Sequence, residues 1–183
     1  MSPWKSRMMN LTFGLAIAVL RLTGSAGEAA AGALPKDPCA LLKPAEIQAL
    51  ASNAKIGSGV SDASMAPIGI ACTYTWGPRT REWGESALTI TIIDASKAWP
   101  GTSPDVLQQG IAAKVKAEGP NASLVPGVGD AGAFTFEARS SNATAEAYLK
   151  AKGVHLSVRY HAGDALSSKD KVVALLKAAA AKL

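Results

Sequence analysis

Cysteine and histidine are scarce in this chain, two of each in 183 residues, so donors for a Cys/His metal site are few. Runs of like charge are missing too, which removes any polybasic tail for a membrane surface. No apolar stretch reaches the roughly 20 residues that a bilayer span needs: the run Leu11 to Leu20 is too short, and Arg21 interrupts it. Nor does any serine stand in a Gly-x-Ser-x-Gly nucleophile elbow, and Gly57-Ser58-Gly59 is not of that type. No motif forces a chemistry.

The N-terminus has a recognisable character. Lys5 and Arg7 supply a positive start, Leu11 to Leu20 an apolar middle, and small residues crowd from Gly24 to Ala33. Residues 1–33 therefore read as a secretory signal peptide, with cleavage after Ala26 or just before Leu34 both meeting the small-residue rule. A lipid anchor would need a cysteine directly after the apolar run, whereas Cys39 lies downstream of Lys36-Asp37-Pro38. The expectation is a protein exported to the periplasm or secreted, with residues 34–183 forming a single domain large enough to bury a core. Taking away Lys5, Arg7, Arg21 and Glu28 leaves 16 basic and 13 acidic side chains. That balance gives no argument for a nucleic-acid partner.

Two cysteines in an oxidising compartment favour a Cys39–Cys72 disulfide. A metal pair and a reactive thiol are the competing readings; the first lacks further ligands and the second leaves one cysteine unexplained.

Along the remaining chain, Pro44 opens a helix with Lys43 at the N-cap, Glu46 in the first turn, and Leu42 and Ile47 placed as a hydrophobic staple. Residues 57–67 read as a flexible stretch. Ile68, Ile70, Cys72, Tyr74 and Trp76 alternate with small or polar residues as a strand, and Leu88, Ile90 and Ile92 form a second, joined by a loop over 77–86. Ser103-Pro104-Asp105 starts a helix with Leu107, Ile111 and Val115 as its buried stripe, stopped by Gly119-Pro120. A weak strand at 123–125 and a better one carrying Phe134 and Phe136 follow. A hairpin turning at Lys152-Gly153 places Ala145, Ala147, Leu149, Val154, Leu156 and Val158 toward the core. Its other face, with Glu146, Tyr148, Lys150, His155, Ser157 and Arg159, reads as solvated. A last helix from Ser167 buries Val172, Leu176, Ala179 and Leu183. The predicted fold class is α+β: a single antiparallel sheet with about three packed helices and one disulfide.

Few constellations invite function. Gly127 to Gly132 matches GxGxxG, but these glycines open a strand and not a helix, so a turn with Asp130 bonding its own backbone is expected. His155 and His161 fall about 20 Å apart on one strand, too far to share a metal. Asp94, Asp105 and Asp130 sit at element ends, where capping and turn roles suffice. The loop residues Arg79, Arg81 and Trp83 combine guanidinium and aromatic groups of the kind enriched at binding hot spots.

The chain resembles a group of small exported α+β domains of unknown function found in bacterial envelope lipoproteins, and is similar to the extracellular sensor domain of some bacterial receptor Ser/Thr kinases. The resemblance rests on Asp37-Pro38-Cys39 with Leu41-Leu42 and Pro44 to Ile47, on Cys72 to Trp76, on Val125 to Ala131, and on Leu149 to Gly153 leading into Leu156-Ser157-Val158. It spans nearly all of residues 34–183. Lys43 replaces the usual Ser or Thr before Pro44, and the lipid-accepting cysteine is lacking. It implies an antiparallel sheet with packed helices, the Cys39–Cys72 bridge and a ligand-binding or interaction role, with no catalytic residues.

The expected function is thus a non-enzymatic envelope module without cofactor, binding an envelope protein, a glycan or a small ligand. Arg79, Arg81, Trp83, Tyr148, His155 and Arg159 are the candidate ligand contacts. The alternative is a small hydrolase whose Ser/His/Asp site is assembled in space.

Overall fold

A computed structural model describes residues 34–80 and 84–183. The expected signal peptide, Arg81 and Trp83 lie outside the described residues, as does the side chain of Arg79. The elements run α1 (Pro44–Ala51), β1 (Val60–Asp62), β2 (Gly69–Thr80), β3 (Gly84–Asp94), α2 (Ala95–Ala98), α3 (Pro104–Glu118), β4 (Ala122–Leu124), β5 (Ala131–Glu137), β6 (Asn142–Leu149), β7 (Val154–His161) and α4 (Lys169–Ala180). All seven strands form one antiparallel sheet in the order β1-β2-β3-β7-β6-β5-β4. Two meanders, β1-β2-β3 and β4-β5-β6-β7, are joined along the β3–β7 ladder. The α2–α3 connection carries the chain from the middle of the sheet to its far edge. Among the described residues no helix is long and apolar enough to cross a membrane.

The main core lies on the face covered by α1 and α4. Period-two alternation sends Tyr74, Leu88, Ile90, Ile92, Leu156, Val158 and Tyr160 to this face, and all are buried to within 1 % exposure. The spacing of Val172, Leu176 and Ala179 lays one stripe of α4 on them, and Leu42 and Ile47 close the corner from α1. Lys182 ties the two helices together, its Nζ donating to Glu46 Oε1 at 2.7 Å and to the Leu41 carbonyl at 2.9 Å.

The Cys39–Cys72 disulfide pins the segment before α1 to β2, with Cα atoms 5.1 Å apart. Tyr74 secures the same corner, donating its hydroxyl toward the carbonyls of Leu42 and Cys39. Lys43 does cap α1 poorly. The backbone N–H of Lys43 instead donates to Glu46 Oε2 at 2.7 Å, the half of a capping box that needs no oxygen on the cap residue.

Several sequence expectations change. The stretch 57–67 contains β1, a strand whose three residues are all exposed and which pairs with Ala71–Thr73. The 77–86 segment is largely strand: β2 and β3 extend through a register shift after Trp76 to a Thr80–Gly84 pairing. Ile68 lies outside β2 and is exposed. Asp130 does not bond its own backbone. Its Oδ2 accepts from the Lys150 N–H at 2.6 Å, clamping the glycine-rich turn to the end of β6. Gly129 needs its missing Cβ there, because φ is +58° and a Cβ would stand 2.5 Å from the Tyr148 carbonyl oxygen.

Candidate functional site

The second face of the sheet is divided. Helix α3 crosses β4 and β5, and Ile111, with Leu107 and Val115 beside it, packs on Ala133 and Tyr148. The rest of this face remains open and forms a groove of about 680 Å³. Strands β3, β7, β6 and β5 make its floor, Lys114 and Glu118 of α3 one wall, and Met65 of the β1–β2 turn stands opposite.

Register fixes which floor residues are neighbours. Thr89, Arg159, Thr144 and Thr135 run across four strands in one row, and Thr91, Ser157 and Glu146 form the next. Arg159 is exposed and makes no hydrogen bond or ion pair with any described residue; threonines flank it on both sides. Thr89 is held in place by a 3.1 Å hydrogen bond with Thr73.

Glu146 marks the inner end of the groove. Its side chain is 9 % exposed and accepts from Lys114 Nζ at 2.7 Å and from His155 Nε2 at 3.2 Å. Burial alone would raise its pKa, but the hydrogen bonds and charges of His155 and Lys114 prevail and hold it at about 2. The carboxylate is thus ionised at neutral pH and can only accept. His155 must carry its proton on Nε2 to donate to it. Its Nδ1 is buried without a partner among the described residues, and the ring meets Trp99 edge-on at 5.9 Å between centroids.

The candidate contacts fare differently. His155 and Arg159 both stand in the groove, four residues apart on one face of β7. Tyr148 does not belong to a solvated surface. It is 1 % exposed under α3, and burial first, then the Asp130 charge, pushes its phenol up. Glu146 is likewise buried, so the expected solvated face survives only at its two ends, toward Arg159 and at Lys150. Arg81, Trp83 and the side chain of Arg79 lie outside the described residues. Lys114 was not anticipated. The available signal was its position between Ile111 and Val115, at the margin of the buried stripe, where a long side chain can bend over the sheet.

The described residues do not assemble a Ser/His/Asp arrangement around His155, since no hydroxyl reaches Nδ1. His161 Nδ1 meets Asn142 Oδ1 at 3.2 Å. Asp94 caps α2, accepting from the Ser96 N–H at 3.0 Å and pairing with Lys97, while Asp105 pairs with Lys150 at 3.3 Å. Among the described residues no three His, Cys, Asp or Glu side chains converge on a point that could hold a metal ion.

No protein-family model, curated protein or solved structure matches the chain.

Proposed function

We propose that this chain is an exported, non-enzymatic binding domain of the bacterial envelope, and that its groove takes a small polar ligand carrying an anionic group. The observation that carries this reading is Arg159: a guanidinium without a partner among the described residues, set between Thr89 and Thr144 on the floor of a concave surface. A guanidinium presents its donors in a planar fork that suits carboxylate and phosphate, and the neighbouring hydroxyls can serve the remaining oxygens. Groove residues already paired among themselves, Glu146 with Lys114 and His155, orient the floor. The disulfide and the signal-like N-terminus support export, and the likeness to envelope sensor domains agrees with recognition as the task.

The test is capture. Disulfide-intact protein and its Arg159→Ala variant are immobilised, loaded with the small-molecule fraction of an envelope extract, and the released material is compared by mass. An anionic compound retained by the wild type and lost from the variant is the expected result. Equal retention by both, or none by either, removes the reading. Export is checked separately by the N-terminal sequence of protein recovered outside the cytoplasm, which should begin within or just after the 24–33 segment.

A further inference from the structure

The floor of the groove around Arg159 is built from short side chains. Thr89, Thr91, Thr135, Thr144 and Ser157 line it and are all half-buried, so the guanidinium is the long group standing among hydroxyls. A solvated antiparallel face usually carries long charged side chains paired across its strands, and such chains would roof this hollow over. Threonine and serine leave it concave.

These hydroxyls are available. Those of Thr91, Thr135, Thr144 and Ser157 bond to no described residue, and none of the four is sealed from solvent. Register sets their spacing: Thr89 and Thr144 lie one strand to either side of Arg159, about 5 Å away along the backbone ladder, and Ser157 lies two residues along β7, about 7 Å away. Thr91 stands opposite Ser157 on the next strand. Hydroxyls therefore surround the base of the arginine on three sides, at the scale of one six-membered ring with its substituents.

The charge of the lining limits the anion. Lys114 is taken up by Glu146 at 2.7 Å, which leaves Arg159 as the lining cation without a partner among the described residues. Glu118 and Glu137 add two carboxylates to the same groove. A singly charged carboxylate suits this balance better than a doubly charged phosphate ester, which the two acidic groups would repel more strongly.

We propose that the ligand of the groove is a sugar acid, a pyranose ring bearing several hydroxyls and one carboxylate. Its carboxylate takes the Arg159 fork, and its hydroxyls exchange hydrogen bonds with Thr89, Thr91, Thr144 and Ser157, each of which can both donate and accept. The groove, about 680 Å³, lies within the range typical of small-molecule sites. This inference rests on the anion-binding reading of Arg159 and adds the class of molecule.

The probes are glucuronate and galacturonate, set against glucose, which lacks the carboxylate, cyclohexanecarboxylate, which lacks the hydroxyls, and glucose 6-phosphate. Each is titrated into disulfide-intact protein and followed by backbone amide shifts. At least one sugar acid should give saturable shifts confined to the strands around Arg159, and bind about tenfold tighter than the three controls. Arg159→Ala should bring it down to the level of glucose. Thr144→Val and Ser157→Ala, with urea midpoints unchanged, should each weaken the sugar acid severalfold and leave cyclohexanecarboxylate as it was. If cyclohexanecarboxylate matches the sugar acids and both depend on Arg159, or if glucose 6-phosphate binds tightest, the groove holds an anion but the sugar-acid class is overturned. If no probe saturates, or if binding survives Arg159→Ala undiminished, the reading of Arg159 falls and the sugar-acid class falls with it.

Discussion

His155 Nε2 stands 3.2 Å from Glu146 Oε2, directly across from the 2.7 Å contact that Lys114 makes with the other oxygen of the same carboxylate. A helix residue and a residue of the neighbouring strand thus meet on one buried charge. Removing the charge should loosen the seat of α3 on the sheet and disturb the inner end of the groove together.

Acid should reveal this contact. Glu146 has a folded pKa of about 2 against an ordinary value of 4.5, so its contribution is complete above about pH 4.5 and fades as pH falls toward 2. That shift corresponds to roughly 3 kcal/mol at neutral pH. Urea midpoints of wild type and Glu146→Gln should differ most near pH 7 and converge by pH 2. A constant gap across that range would refute the assignment.

Disulfide loss should be non-additive. Cys39→Ser and Cys72→Ser each open the same loop, whose closure is worth about 3 to 4 kcal/mol in the chain-entropy treatment. Under oxidising conditions the double variant should be no less stable than the sum of one loss plus a small packing term for the fully buried Cys72. Additive single effects would contradict a shared bridge.

Two residues on one sheet face should behave oppositely. Tyr148→Ala removes a ring buried under α3 and should cost about 3 to 5 kcal/mol, as deletion of buried aromatic rings does. Arg159→Ala removes an exposed side chain that has no partner among the described residues and should stay within about 0.5 kcal/mol. Thermal and urea unfolding of the pair settle it; equal effects would mean that the face is not divided by α3.

Two glycine substitutions should likewise split in sign. Gly110→Ala should stabilise by about 1 kcal/mol, since nothing obstructs the new methyl and alanine favours the helix. Gly129→Ala should destabilise by at least about 1 kcal/mol, because φ is positive and the methyl would press on the Tyr148 carbonyl. Urea midpoints moving in the same direction would count against the turn geometry.

The faces of the β6–β7 hairpin were legible because alternation is local. Ala145, Ala147, Leu156 and Val158 are all fully buried, and Glu146 faces Ser157 in register. What covers the opposite face is not local. The Leu107–Ile111–Val115 stripe announced that α3 needs an apolar floor, but nothing in the hairpin said that Tyr148 and Ala133 would supply it. Burial of Tyr148 and Glu146 therefore escaped sequence reading, and with it the Lys114–Glu146–His155 group. β1 escaped for a different reason. Its residues bury nothing, and it exists as a strand through backbone pairing with β2. The extension of β2 and β3 was hidden by Gly77 and Pro78, turn-forming residues that here accompany a register shift inside a longer arm.

The strands that end the sheet, β1 and β4, have three residues each. A visiting chain aligning itself with either would find a ladder too brief to hold it, and nothing there would fix its register. A ligand of the proposed groove would come broadside instead, onto the face where side chains are displayed, and would be discriminated by chemistry and not by generic main-chain pairing.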